Sequence, residues 1–122
     1  MYWLEKSGLK DLLPELLKTR VYAGISAGSM VTSGSQALKH VSDLYYENKK
    51  VSDTDGGLGF IPFYFRPHLN SPDFPKVRKD YLEKLAKDIP ETIYALDDQS
   101  AIKVDGDKIE VISEGQYLVF KQ

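Results

Sequence analysis

The chain contains no cysteine in its 122 residues, which excludes disulfides, a thiolate nucleophile, iron–sulfur clusters and a cysteine-ligated zinc together. Any covalent catalysis must use oxygen or nitrogen. No apolar run approaches the roughly 18 residues that cross a bilayer, and the N-terminus carries neither a basic stretch nor an apolar signal core. A cytoplasmic protein with no membrane partner is expected. The 16 basic and 18 acidic side chains are dispersed, leaving a net charge of -2 and no basic stripe to track a phosphate backbone, so nucleic acid is not an expected partner. Two histidines and scattered aspartates show no metal-ligand spacing, so neither a metal nor a cofactor is expected. Repeats and low-complexity tracts are missing as well. With 42% hydrophobic residues, the length suits one domain spanning residues 1–122 with a single core.

From Tyr2 to Lys18, leucines recur near helical spacing, with interruptions expected at Gly8 and Pro14 and Ser7 as a cap for a second helix. Val21 to Ile25 suits a short buried strand, and Ala27 to Val31 opens a helix that fades by Ser33-Gly34-Ser35. Tyr45-Tyr46 reads as strand-like, and residues 47–57 as an exposed loop. Leu58 to Phe65 is the most apolar segment, read as a buried strand broken at Pro62. Pro75 can occupy the first turn of a helix running through Val77, Tyr81, Leu82, Leu85 and Ala86 and ended by Ile89-Pro90. Thr92 to Leu96 is another strand, Ala101–Val104 and Lys108–Ile112 form a hairpin around Asp105-Gly106, and Tyr117–Phe120 is a last strand. This order favours an α/β layered fold with a mixed sheet and a small antiparallel end.

The chemistry concentrates in Gly24-Ile25-Ser26-Ala27-Gly28, a G-x-S-x-G pentapeptide between an apolar run and a helix start. In that context Ser26 is presented as a nucleophile on a tight turn, glycines flank it for steric reasons, and the Ala27 N–H points at a developing oxyanion. One such pentapeptide arises by chance in about 4% of chains this long, so alone it is equally an ordinary turn. Ser26, His68 and Asp98 each follow a strand, at the edge where open α/β sheets collect catalytic groups.

Together with Pro67-His68-x-Asn70-Ser71-Pro72 and Ala95-Leu96-Asp97-Asp98-Gln99-Ser100-Ala101, the pentapeptide resembles the peptidase E family of α-aspartyl dipeptidases. Cyanophycinases are relatives of that family. The resemblance implies a three-layer, class I glutamine-amidotransferase-like (flavodoxin-like) fold, truncated at the N-terminus, with a small C-terminal hairpin. It also implies a serine peptidase acting on short peptides, with Ser26 as nucleophile, His68 as general base and Asp98 as the orienting carboxylate. Family members often carry Glu at the third position; Asp97 and Asp43 are further candidates for it. The resemblance covers about the C-terminal half of the family, without its first strands or the glycine-rich loop that gives a second oxyanion donor. A homodimer or a complementing chain is therefore expected to cover the elbow strand.

Each residue also has a plainer reading. His68 can be a solvent-facing loop imidazole, and Asp97-Asp98 a strand-end turn that caps backbone N–H groups. Arg66 and Asn70 are candidate substrate contacts, although an arginine beside an aromatic run also packs along its stem. Phe60, Phe63, Tyr64 and Phe65 are expected in the core, and His40 is given no role. The alternative to an enzyme is an inactive remnant that serves as a dimerising or partner-binding module. Glutamine amidotransfer, a further relative, requires the missing cysteine.

Overall fold

The computed structural model describes residues 1–34, 40–45 and 56–121. Among them the chain forms helices α1 (Tyr2–Lys6), α2 (Leu9–Leu16), α3 (Ala27–Met30) and α4 (Val41–Tyr45), and then strand β1 (Tyr64–Arg66). Helix α5 (Lys79–Ala86) leads to strands β2 (Ile93–Leu96), β3 (Ser100–Asp105), β4 (Lys108–Ser113) and β5 (Tyr117–Phe120). The main sheet is mixed, in the order β1-β2-β5: β1 runs parallel to β2, with Phe65 opposite Tyr94, and β5 runs antiparallel to β2. The hairpin β3–β4 stands apart as a second sheet, in the register Ser100 to Ser113 through Asp105 to Lys108. The expected α/β fold with a mixed sheet and a C-terminal hairpin is the one found.

Side chains alternate across a strand, and the two faces of the main sheet bury different elements. Tyr64, Ile93 and Ala95 pack with Leu82, Leu85 and Ala86 of α5, while Phe65 and Leu96 pack with Met30 of α3 and Val41 of α4. Ile102 and Val111 of the hairpin close the second cluster. Helix, sheet and helix thus form three layers, and the sheet is buried on both faces, as parallel strands require. Phe63, Tyr64 and Phe65 are core residues, and Phe60 is partly buried.

Local expectations fail where backbone groups find other partners. Val21 to Ile25 is not a strand; the segment has no ladder, and Val21 and Ile25 are 93% and 89% exposed. Pro62 shortens the next strand, which begins only at Tyr64. Pro75 does not open α5. The Arg78 guanidinium donates to the carbonyls of Ser71, Phe74 and Val77, and Asn70 N–H also takes Val77 O, so this segment is committed to a loop and the helix starts at Lys79. Gly8 rather than Ser7 is the N-cap of α2, although the Ser7 hydroxyl still accepts Leu9 N–H at 3.4 Å. Pro14 sits inside α2 without ending it. Tyr45 is helical rather than extended, and Tyr46 and most of the expected 47–57 loop lie outside the described residues. No helix among the described residues is long and apolar enough to cross a membrane.

Leu82 is fully buried between α5 and the sheet. Leu82→Ala is expected to lower stability by about 2–5 kcal/mol, read from the urea midpoint at unchanged slope.

Candidate active site

Ser26 holds φ 52° and ψ -116°, a backbone conformation that L-residues rarely adopt and that costs roughly 1–3 kcal/mol unless its surroundings enforce it. Local bonds do so. The Tyr22 hydroxyl donates to Gly28 O and the Ser29 hydroxyl to Gly24 O, both at 2.7 Å, while Ser29 and Met30 N–H return to Ser26 O. A Cβ on Gly24 would sit 2.6 Å from the Gly28 carbonyl, so the first glycine is sterically required. The second is not, because a Cβ on Gly28 would meet only the Tyr22 hydroxyl at an ordinary 3.8 Å. Ala27 is the first residue of α3, where N–H groups lack intrahelical acceptors.

His68 leaves β1 through Arg66 and Pro67 and adopts a left-handed φ of 64°. Its loop is tied to the neighbouring strand by Leu69 N–H donating to Leu96 O at 3.0 Å. The imidazole Nε2 lies 2.8 Å from Ser26 Oγ, and Nδ1 lies 2.6 Å from Asp98 Oδ1. An ionised carboxylate only accepts, so the neutral ring carries its proton on Nδ1 and offers the Nε2 lone pair to the Ser26 hydroxyl. Ser26, His68 and Asp98 are thereby brought together in one hydrogen-bonded run.

The two adjacent aspartates divide the work that the sequence left open between them. Asp98 faces His68; Asp97 caps the turn. Asp97 Oδ1 accepts from Gln99 N–H and the Ser100 hydroxyl, and Oδ2 accepts from Gln116 N–H. Desolvation pushes the Asp97 carboxyl up, but the bonds from Ser100, Gln116 and Gln99 outweigh it and hold the group below the usual range. Gly115 permits this approach, since a Cβ there would lie 2.1 Å from Asp97 Oδ2.

The remaining candidates separate. Asp43 lies 3.7 Å from the ring of His40, not beside His68. Arg66, expected as a weak substrate contact, is fully buried with its guanidinium 5.3 Å from the Tyr64 ring centroid, so its stem packs rather than reaching the surface. Asn70, also left-handed at φ 63°, is exposed and donates to Gln116 Oε1 at 2.9 Å beside a cleft of about 410 Å³ that Lys79 and Tyr117 also line. A second groove, of about 620 Å³, runs between the elbow and the hairpin, lined by Tyr22, Gly24, Phe65 and Ile102. Among the described residues no three His, Asp or Glu side chains are gathered to hold a metal.

Sequence reasoning missed three supports. Phe74 stacks on the His68 ring, Tyr45 meets it edge-on, and Ser100 links Asp97 to Ser113 across the hairpin. Burial raises the Tyr45 phenol, against the opposing charge of Arg66, so it stays a hydrogen-bond donor, to Pro67 O at 2.9 Å.

Comparison with known proteins gives a consistent picture. The model of Peptidase family S51 matches residues 1–112. The fold is similar to a crystal structure of a protein assigned as a peptidase E from Listeria monocytogenes EGD-e, at 25% identity and a TM-score of 0.65. The match covers 92% of this chain and 52% of that one, so the chain spans about half the length of that relative. No curated protein matches it.

The Asp97 carboxyl titrates below its unfolded value in the folded state. Its stabilisation is therefore present above the unfolded pKa, about 3.9, and is lost as pH falls through the lower folded value. The urea midpoint of Asp97→Asn should fall below that of the parent chain near neutral pH, with the gap closing as pH falls below the unfolded value. A gap that does not change with pH would remove the ionised cap from this account.

Proposed function

Because the chain belongs to Peptidase family S51, whose match runs over residues 1–112, we propose that it is a serine peptidase cleaving short peptides. The observation that carries this reading is the run of hydrogen bonds from Ser26 Oγ through the His68 ring to Asp98 Oδ1. A serine hydroxyl is too weakly acidic to attack an amide unaided. In the proposed reaction Ser26 Oγ attacks the scissile carbonyl while His68 Nε2 takes its proton, and Asp98 stabilises the imidazolium that forms. The Ala27 N–H stabilises the oxyanion of the tetrahedral intermediate. Collapse expels the amine, which receives the proton from His68. Water then attacks the acyl-serine with His68 again as base, releasing the acid and restoring Ser26. Asn70, exposed and two residues beyond His68 in the chain, is a proposed substrate contact, whereas the burial of Arg66 argues against that role.

A second reading, a partner-binding module with an inert serine, is favoured by the apolar side chains left exposed in α2 and in the elbow segment. Leu12, Leu16, Val21 and Ile25 are 59%, 43%, 93% and 89% exposed. On either reading we propose that a second copy or a complementing chain covers these side chains, within a single folding domain over residues 1–122. Light scattering should give twice the monomer mass or more for the associated protein; a stable monomer with cooperative unfolding contradicts it.

Fluorophosphonate labelling separates the two functions. The peptidase reading expects stoichiometric modification that Ser26→Ala abolishes and that Asp98→Asn slows by roughly 10³- to 10⁴-fold. A serine that stays unlabelled in the associated protein selects the module.

A further inference from the structure

The two hydrogen bonds of His68 are made at the edge of its ring, at Nδ1 and Nε2, and leave both faces of the imidazole to other contacts. A turn of the ring about Cβ–Cγ carries both nitrogens out of line with Ser26 and Asp98. The left-handed backbone of His68 does not prevent it, because it fixes Cβ and not the ring torsion.

Two aromatic rings from other parts of the chain oppose that motion. Phe74 lies face to face with His68, its centroid 4.7 Å away and the planes 26° apart. Tyr45, at the end of α4, meets His68 edge-on at 6.5 Å and 76°, and meets Phe74 at 5.3 Å and 73°. The cluster is itself anchored. The Tyr45 hydroxyl holds Pro67 O, and Arg78 holds the carbonyls of Phe74 and Ser71, the ends of the loop that carries Phe74. The stack also gains strength when it is needed, since the negative face of Phe74 attracts the imidazolium that forms as His68 takes the serine proton.

We propose that Phe74 is a positioning residue for His68, and that Tyr45 locks the pair through Pro67. The proposal rests on the peptidase reading and touches no reacting atom. Its test uses the full chain and a fluorophosphonate, resolving the saturable binding constant from the maximal labelling rate. Phe74→Leu should lower the maximal rate about tenfold with the binding constant unchanged. Phe74→Tyr, which keeps the face, should restore it. Tyr45→Phe, which keeps the ring and loses the Pro67 bond, should fall between the two. In the NMR spectrum of the parent chain the carbon-bound ring protons of His68 should lie upfield under the Phe74 ring current, and Phe74→Leu should return them downfield.

Labelling of Phe74→Leu at the parent rate overturns the proposal while leaving the peptidase reading in place. If that variant does not fold, unshifted His68 ring protons in the parent chain overturn the proposal by themselves. A parent chain that does not label overturns the peptidase reading first, and this proposal with it.

Discussion

Parallel pairing of β1 with β2 is the constraint from which the site follows. Adjacent parallel strands release their chains at the same edge of a sheet, side by side at the inter-strand spacing of about 4.8 Å. His68 lies two residues beyond Arg66, the last residue of β1, and Asp98 two residues beyond Leu96, the last of β2. An antiparallel pair would have sent them to opposite ends. The connection between the strands is long because a parallel pair needs a crossover, and α5, which supplies it, is also the helix that buries Tyr64, Ile93 and Ala95. Core packing and convergence of the candidate triad are therefore consequences of the same pairing, and the bond from Leu69 N–H to Leu96 O carries that pairing beyond the strands to the loop of His68.

The neighbouring aspartates show how one turn can meet a structural and a chemical demand together. Strand β2 pairs with β5 on its other side, and Asp97 extends that contact through its N–H to Gln116 O and its carboxylate to Gln116 N–H. With the turn closed by Asp97, Asp98 is released to face His68. Either carboxylate alone would have to choose between capping the turn and orienting the imidazole. Asp98, one methylene shorter than a glutamate, still reaches His68 Nδ1 at 2.6 Å.

Much of this was legible in the residues, for identifiable reasons. The hairpin, β2 and β5 were readable because alternation and turn residues are local signals, and the three candidate groups because each stands just past a strand or apolar run. The start of α5 was not: Pro75 is a good first-turn residue, but Arg78 draws three carbonyls into a loop that no propensity encodes. Val21 to Ile25 carried a strand composition, yet a strand exists only when a neighbour supplies the ladder. Phe74 and Tyr45 were unreadable as supports of His68 because their contact is created by tertiary folding between α4 and two loops. Arg66 had both readings open, and its burial beside Tyr64 is decided by the strand alternation that puts the two on the same face.

The elbow poses a further question, since it holds a strained serine without belonging to the sheet. Its geometry is maintained from within: the hydroxyls of Tyr22 and Ser29 bridge the two sides of the turn, and Gly24 admits the Gly28 carbonyl where any side chain would collide. What a neighbouring strand or chain would add is burial, on the order of 1.5–3 kcal/mol for each large apolar side chain such as Val21 or Ile25. The two contributions are physically separable. Local bonds set the direction of Ser26 Oγ toward His68, while a covering chain would set how much apolar surface remains in water. A chain spanning about half of its structural relative thus keeps Ser26 Oγ 2.8 Å from the His68 ring while Val21 and Ile25 stay exposed.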